Sequence, residues 1–456
     1  MNIKEKMYEK KKLNHVIHAT FNPNGPGAIR LHLVPTKFSF FKSVPNIVIL
    51  NGRDYIPLNT AWSILLSIFI EEISKYQGLE IPDDTLKLIV NVTVEKVRKI
   101  YGKKVGREDI KDDLWNMIDT FTAIAKNEDV DLDFGDLSIA SFYKELTAPH
   151  RVDLMISSME KEGKWNCNQQ CIHCYAAGQN LANTKELSTE EFKKVIQILQ
   201  DNCVSQITFT GGEPTLRSDL VELVKEASWF VTRLNTNGIL LTEELCHKLY
   251  EASLDSVQVT LYSHDKKIHN ELVGSDNFDK TIQGIKNAVK AGLNVSINTP
   301  LCSLNKDYVE LLKFAKELGI TYATSSGLII TGNATKSKSK NTRLSETALY
   351  KILKQAKKYA DENDLELDFT SPGWIAEDKL RKMKLTPPSC GACLSNMAIA
   401  PNGDIIPCQS WLKENSSLGN ILNTKWSKIW NSPKCKQIIK EYSKTLHICP
   451  IRKENN

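Results

Sequence analysis

The sequence predicts an α/β protein in which a run of βα units lies between an N-terminal α+β region and a cysteine-rich C-terminal extension. Three observations carry this. From Arg151 onward, six apolar β-prone runs alternate with amphipathic helical segments, the pattern of a parallel sheet with right-handed crossovers. Ahead of them stand β-prone pieces followed by three helical segments. Behind them, Cys393 and Cys408 flank a turn, with Cys390 and Cys449 on either side. The expected domains are 1–130, a linker over 131–150, the βα region over 151–340 and the extension over 341–456.

Composition narrows the class. The chain has 456 residues, 41% hydrophobic and 25% charged, as ordinary globular proteins have. No run of 18 apolar residues occurs, so no membrane partner is expected. The start, Met1-Asn-Ile-Lys-Glu-Lys6, lacks the apolar core of a secretory signal. Eleven cysteines without such a signal point to metal binding in a reducing, cytoplasmic setting rather than to disulfides. A net charge of +5 is too small to imply a nucleic-acid partner.

Residues 1–12, dominated by Lys and Glu, read as frayed. Two β-prone pieces follow, His15 to Phe21 and Ile29 to Val34, broken by Asn22-Pro-Asn-Gly-Pro-Gly27. Asn46 to Leu50 and Arg53 to Leu58 surround Asn51-Gly52, a type I′ hairpin signal. Asn59 caps a helix to about Tyr76, and further helices are expected over Asp83 to Tyr101 and Arg107 to Ala125.

The strand candidates of the βα region are Arg151–Ser157, Ser205–Thr210, Phe230–Asn235, Ser256–Leu261, Asn294–Thr299 and Thr321–Gly327. Helix candidates between them are Thr189–Asn202, Ser218–Ser228, Thr242–Glu251, Phe278–Ala291 and Lys306–Leu318. Lys336 to Lys340 reads as a solvated linker, and Leu344 to Asn363 as a lysine-rich helix.

Chemistry concentrates after the first strand. Cys167-Asn-Gln-Gln-Cys171-Ile-His-Cys174 places three thiols within one short loop, where they can reach only one small centre. Three ligands are one short of a closed four-iron cluster or a tetrahedral zinc site. A four-iron cluster would keep one iron open; a zinc site would take His173 as its fourth ligand. After the second strand comes Thr210-Gly211-Gly212-Glu213-Pro214. The glycines permit close approach to the backbone, and Glu213 is an acceptor for an amine.

C-x3-C-x2-C after the first strand and Gly-Gly-Glu after the second, in this order, resemble the radical S-adenosylmethionine (AdoMet) superfamily. The resemblance implies a partial (β/α)6 TIM-like barrel and a [4Fe–4S] cluster on Cys167, Cys171 and Cys174. It implies AdoMet chelated at the open iron and reductively cleaved to a 5′-deoxyadenosyl radical. It places His173, Gly211, Gly212 and Glu213 at AdoMet, together with Asn235 and Asn237 after the third strand, Thr260 (with Tyr262) after the fourth, and Asn298 (with Thr299) after the fifth. Asn235 and Asn237 are equally ordinary turn residues. Many relatives carry an Arg before a glycine after the fourth strand. This chain has Leu272-Val273-Gly274 instead, with Lys266 and Lys267 the nearest cations.

The tail reads Cys390-Gly-Ala-Cys393, then Ile399-Ala-Pro-Asn-Gly403-Asp-Ile-Ile-Pro-Cys408, then Leu418-Gly-Asn-Ile421, Lys428-Ile-Trp430 and Cys449-Pro450. Pro401-Asn402-Gly403 marks a hairpin whose ends bring cysteines together. The order resembles the SPASM/twitch extension of peptide-modifying radical AdoMet enzymes. It implies one auxiliary [4Fe–4S] cluster on Cys390, Cys393, Cys408 and Cys449, with Cys435 an alternative fourth ligand and zinc an alternative metal. Cys203, Cys246 and Cys302 read as packing residues.

Tyr55-Ile-Pro-Leu58-Asn59-Thr-Ala61-Trp62 in turn resembles the strand-to-helix junction of the winged-helix leader-recognition domain, which many peptide-modifying radical enzymes carry. A longer second helix and a missing acidic turn depart from it, and a helical cap without a binding role is the alternative. Together the resemblances imply maturation of a ribosomally made precursor peptide by crosslink, thioether or epimerisation, with a flavodoxin or ferredoxin as electron donor. Cys302, just past the fifth strand, would be the hydrogen donor of an epimerase. Cofactor or haem maturation, and a non-catalytic iron–sulfur or zinc module, are the other readings.

Overall fold

The computed structural model describes residues 3–21, 29–36, 45–50, 54–76, 81–102, 105–125, 130, 146–336 and 341–454. They fall into two compact units: residues 1–150 with 199–206 and 229–231, and the remainder from 151 to 456. The Asn22–Gly27 and Asn51-Gly52 turns, most of the 131–150 linker and residues 337–340 lie outside the described residues.

The first unit is built on a four-stranded antiparallel sheet, β1 (Ile17–Phe21), β2 (Ile29–Val34), β3 (Asn46–Leu50) and β4 (Asp54–Leu58), in that spatial order. The expected hairpin is therefore the outer half of a meander. β3 is interior and pairs with both neighbours, whereas β4 is an edge strand carrying Pro57, which has no N–H to give a ladder. Asn59 caps the helix Thr60–Ile73 by accepting from the Trp62 N–H at 2.9 Å. That helix is apolar nearly all round, so it is the central one. Ile64, Leu65 and Phe69 meet Leu33, Val48 and Leu58 of the sheet and Val90, Val94 and Leu114 of the helices Asp83–Tyr101 and Arg107–Ala125.

The reading of residues 1–12 as frayed is corrected. Ile3–Lys12 is a helix, and Glu5 and Glu9 are buried. Tyr8 bonds the Ser67 hydroxyl at 3.1 Å, which anchors a segment whose composition alone would not hold it.

The second unit is organised by one ten-stranded sheet. β5 (Arg151–Ser157) is followed by a two-stranded hairpin of β6 (Glu160–Lys161) and β7 (Lys164–Trp165). The βα strands continue as β8 (Gln206–Gly211), β9 (Val231–Thr236), β10 (Ser256–Thr260), β11 (Asn294–Leu301) and β12 (Tyr322–Gly327). All six expected strands are present within two residues of their expected bounds. A seventh, β13 (Glu366–Phe369), pairs parallel with β12 after the helix Glu346–Asp361. It was missed because four residues of alternating charge and apolarity fall below a sequence-level strand signal. A further helix, Lys266–Val273, follows β10, N-capped by Asp265 and ended by Gly274 in the left-handed region.

The tail hairpin of β14 (Asn396–Ile399) and β15 (Asp404–Ile406), with the short β16 (Gly419–Asn420), extends the same sheet. β14 lies parallel beside β5, with Ala398 opposite Asp153. The sheet thus runs β13-β12-β11-β10-β9-β8-β5-β14-β15-β16. This addition places the tail next to the strand that leads into the Cys167–Cys174 loop.

Candidate functional site

The loop from Asn166 to Gly178 is held by backbone bonds rather than by secondary structure of its own. Gln170 and Ile172 donate their N–H groups to the carbonyls of Val273 and Leu272, each at 3.0 Å. Asn333 closes the other side, its N–H bonding Cys174 O at 2.9 Å and its amide bonding Cys171 O at 3.1 Å. Trp165 Nε1 donates to Gln169 O at 2.8 Å. The Leu272-Val273-Gly274 segment therefore buttresses the cysteine loop. Gly274 is required there: its φ is +64°, and a Cβ would stand 2.5 Å from Gln170 O. Lys266 and Lys267 are exposed, and Lys266 pairs with Asp279, so neither faces the loop as a clamp.

Cys167, Cys171 and Cys174 act on one another electrostatically, and Glu213 acts on the first two. Burial pushes the Cys167 thiol up to about 12, with Glu213 and Cys174 adding to the rise. Cys171 is raised further by burial and by the other two thiols, and Cys174 by burial. Three crowded, water-shielded thiols hold their charge poorly unless a cationic centre compensates them, so the donor set fits an iron–sulfur cluster. His173 does not complete a zinc set: its Nε2 bonds Thr342 Oγ1 at 2.7 Å and its ring packs near Tyr262.

Glu213 is 1% exposed and sits at the centre of a strand-end network. Its Oε1 accepts from the Thr215 N–H at 3.0 Å, from the Thr215 hydroxyl and from the Thr236 hydroxyl at 2.7 Å. Among the described residues its Oε2 accepts from the Asn237 N–H alone, at 2.9 Å, which leaves acceptor capacity on that oxygen for an amine. Burial raises the carboxyl's pKa, and the four donors oppose that. Gly211 and Gly212 are required by packing. A Cβ on Gly211 would lie 2.3 Å from Ser157 O, and one on Gly212 would lie 2.6 Å from Ser158 O. The glycines let β8 approach the end of β5, so the close contact is with protein backbone.

The remaining candidates divide. Asn237 links the end of β9 to the cysteine loop through Asn168, while its Oδ1 accepts from the Ile239 N–H at 3.1 Å. Asn235 lies in register with Gln258, and its Oδ1 is buried without a partner among the described residues. Thr260 stands opposite Asn298, whose Oδ1 accepts from Thr324 Oγ1 at 3.0 Å. Thr299 gives its hydroxyl to Leu261 O at 2.8 Å. Cys302 is fully buried, in an apolar packet with Tyr262, Leu272, Val273, Leu328 and Ile330.

Sequence reasoning passed over Gln258, Thr236, Asn168 and Asp153. Asp153 is 2% exposed on β5; its Oδ1 stands 3.3 Å from Arg151 Nε, and its Oδ2 has no hydrogen-bond partner among the described residues. The signal was available: a carboxylate between Val152 and Leu154 in a largely apolar strand.

The tail site is separate. Cys390, Cys393, Cys408 and Cys449 influence one another electrostatically, and burial pushes Cys390 to about 11 and Cys408 to about 12. Cys393 takes a left-handed φ of +56°, unusual for a residue with a side chain, while its N–H bonds Asn396 O at 3.0 Å. Gly403 makes the hairpin turn at φ +88°. Cys449 is positioned by its N–H bond to Pro372 O at 3.1 Å. The two cysteine regions meet through Tyr175, whose hydroxyl bonds Gln409 Oε1 at 3.3 Å, and through an apolar cluster shared by Cys167, Cys174, Met155, Ala398 and Ile406. Among the described residues no three Cys, His, Asp or Glu side chains converge on a position for a single metal ion.

Comparison with known proteins agrees with this layout. Residues 166–315 match the radical SAM superfamily, and residues 390–451 match the SPASM iron–sulfur cluster-binding domain. Probable GTP 3′,8-cyclases are similar over part of the chain. The protein of Sulfurisphaera tokodaii is 37% identical over 159 residues, covering 34% of this chain and 50% of its own length. That of Thermococcus kodakarensis is 34% identical over 157 residues, covering 34% and 51%. The chain thus spans about half the length of these curated relatives. Among solved structures, Streptococcus suis SuiB bound to precursor peptide SuiA has a similar fold, with TM-score 0.58, 17% identity and 87% of each chain covered. AdoMet-bound anSMEcpe superposes with TM-score 0.52 and 20% identity, over 64% of this chain and 83% of its own. The cofactors are accordingly a [4Fe–4S] cluster with AdoMet and an auxiliary iron–sulfur cluster, which sets the zinc readings and the non-catalytic module aside. Residues 166–315 thus carry a radical SAM domain, and residues 390–451 a SPASM domain.

Proposed function

We propose that the protein matures a ribosomally made precursor peptide. The observation that carries this reading is the extent of the fold likeness. The match to SuiB, solved with its precursor peptide SuiA, covers 87% of this chain, whereas the GTP 3′,8-cyclases align with 34% of it. A peptide enzyme uses all the parts found here: an antiparallel sheet with an edge strand, a barrel and a tail metal site. In this reading residues 1–130 bind the leader, 151–340 form the barrel and 341–456 the auxiliary domain.

The cluster and AdoMet, when bound, supply a 5′-deoxyadenosyl radical that abstracts hydrogen from the substrate. Cys167, Cys171 and Cys174 would hold that cluster, and the bonds from Leu272, Val273 and Asn333 fix the loop that presents them. Glu213 Oε2 would accept from the AdoMet amine, its other oxygen being held by Thr215 and Thr236. Asn235, Thr260 and Asn298 line adjacent strands and would face the ribose or the substrate. His173 would orient the loop through Thr342. Cys390, Cys393, Cys408 and Cys449 would hold the auxiliary cluster. The extended leader would pair with the outer edge of β4, the last strand of the sheet. The setting is cytoplasmic, and a flavodoxin or ferredoxin would deliver the electron.

A second reading, cofactor maturation, is favoured by the identity to the GTP 3′,8-cyclases. One experiment separates the two. Anaerobically reconstituted protein is incubated with AdoMet, dithionite and either GTP or a short precursor peptide encoded beside the gene. Peptide modification that needs AdoMet supports the first reading; turnover of GTP alone replaces it with the second.

A further inference from the structure

We propose that the lysine-rich face of residues 425–444 is a docking surface for an acidic one-electron carrier protein of the flavodoxin type, which delivers its electron at the tail metal site. The proposal rests on the reading that Cys390, Cys393, Cys408 and Cys449 hold an iron–sulfur cluster.

Positive charge is concentrated on this face. Lys425, Lys428, Lys434, Lys436, Lys440 and Lys444 stand against the single acid Glu441, a net charge of +5. The whole chain also carries a formal +5, so all its other residues together are balanced. The six lysines are exposed. Elsewhere in the second unit, helical lysines pair with a carboxylate one turn away: Lys248 with Glu244, Lys313 with Glu310 and Lys382 with Asp378. Among the described residues none of the six makes an ion pair. Lys434 donates to Ser417 O at 2.9 Å, and the Lys436 ammonium lies 5.7 Å from the centre of the Trp430 ring, partners that leave the charge uncompensated.

The same segment packs against the stretches that carry the tail cysteines. Two helices form it, Trp426–Trp430 and Pro433–Tyr442, with Trp426, Ile429, Trp430 and Ile439 buried beneath them. The Tyr442 and Trp411 rings meet with centroids 5.9 Å apart, and the Trp411 N–H bonds Cys408 O at 2.9 Å. Just past Lys444, Leu446 O accepts from the Cys390 N–H. The lysines thus lie on the outer side of a segment whose inner side is joined to Cys390 and Cys408.

The surface chemistry selects the partner. Trp426 and Trp430 are buried, so neither offers a platform on which nucleobases could stack. The exposed residues of the helix Pro433–Tyr442 are Pro433, Lys434, Lys436, Gln437, Lys440 and Glu441, which form no apolar stripe to enter a lipid surface. A charged face with little apolar area suits a small, transient redox encounter steered by an oppositely charged partner. Electron transfer falls off steeply with distance, so a carrier gains by docking where the cysteines adjoin the surface. One electron leaves the reduced carrier and is taken up at the tail cluster, and no proton or covalent bond moves.

The test uses the anaerobic, iron-loaded full chain with oxidised flavodoxin as the probe. Its dissociation constant is read from flavin fluorescence at about 0.01 M and about 0.15 M ionic strength, between which the screening length falls from about 30 Å to about 8 Å. Affinity should fall by about tenfold over that range. Lys440→Glu combined with Lys444→Glu should weaken binding by about tenfold at the lower ionic strength and keep the parent's iron content. Lys351→Glu combined with Lys354→Glu, on the exposed side of the helix Glu346–Asp361, should bind as the parent does. In a chain with Cys167, Cys171 and Cys174 replaced by Ala, the rate at which reduced flavodoxin bleaches the tail cluster should fall in the Lys440/Lys444 variant. Affinity that ignores ionic strength, equal loss in both double variants, or an unchanged bleaching rate would overturn the proposal. So would tighter binding of a single-stranded oligonucleotide or of anionic vesicles than of flavodoxin. Absence of iron from the Ala-substituted chain would instead refute the cluster reading on which the proposal rests.

Discussion

Asn237 donates its side-chain amide to the Asn168 carbonyl at 2.6 Å, tying the end of the third barrel strand to the cysteine loop. Asn168 in turn accepts from the Asn277 amide at its backbone oxygen, 3.3 Å away. Asn237→Ala removes the first bond and leaves Asn168 without it in a part-buried setting. A stability loss of about 1–3 kcal/mol is expected. The urea midpoint of the anaerobic holoprotein checks this; an unchanged midpoint would mean that the loop is held without Asn237.

Glu213→Gln should weaken AdoMet binding by about 1.5–3 kcal/mol, through loss of a charge-assisted bond to the amine. The amide end of Gln cannot accept, so one of the donors from Thr215, Thr236 or Asn237 also loses its partner. Iron content should be retained, because Glu213 holds strand ends and not the metal. Equilibrium binding of AdoMet reads the effect, and wild-type affinity would remove Glu213 from the site.

Gly274→Ala should be far more damaging than its chemistry suggests. The added methyl meets Gln170 O at 2.5 Å in a backbone conformation that disfavours side chains. We expect a loss of about 1–3 kcal/mol in stability. Reduced iron incorporation at the Cys167–Cys174 loop should accompany it, while the tail cluster is retained. Equal loss of iron at both sites would indicate general misfolding rather than loop displacement.

The first unit should lose stability in mild acid. His32 Nε2 faces the Trp229 carbonyl at 2.9 Å, which can only accept, so that nitrogen carries the proton, and Nδ1 is buried without a partner among the described residues. Burial pushes His32 to about 3, and burial with the Arg30 charge pushes the stacked His18 to about 4. Free histidine titrates near 6.5. Both folded values lie below the unfolded one, so the unfolded chain takes up protons first. Stability is therefore full above about 6.5 and falls as pH drops towards about 4, by up to about 1.4 kcal/mol per pH unit for each histidine. Urea midpoints at pH 7.5 and 5.5 should show a smaller acid loss in His32→Gln than in the wild type.

Local order was written in the chain itself. The six βα strands, the Asn59 cap, the three N-terminal helices and the Pro401-Asn402-Gly403 turn follow from residue periodicity and from backbone preferences that act over a few residues. The Cys167–Cys174 and Gly-Gly-Glu spacings belong to the same class, because each places its groups within one short loop. What only the tertiary structure decided was which distant backbone and side-chain groups meet. β14 joins β5 across more than two hundred residues, and Leu272 and Val273 hold the cysteine loop. Gly211 and Gly212 show the difference most clearly. Their smallness is plain in the sequence, but their neighbour is the carbonyl backbone of Ser157 and Ser158. Such pairings depend on burial and on backbone groups that every residue carries alike, so nothing in the identity of either partner announces the other.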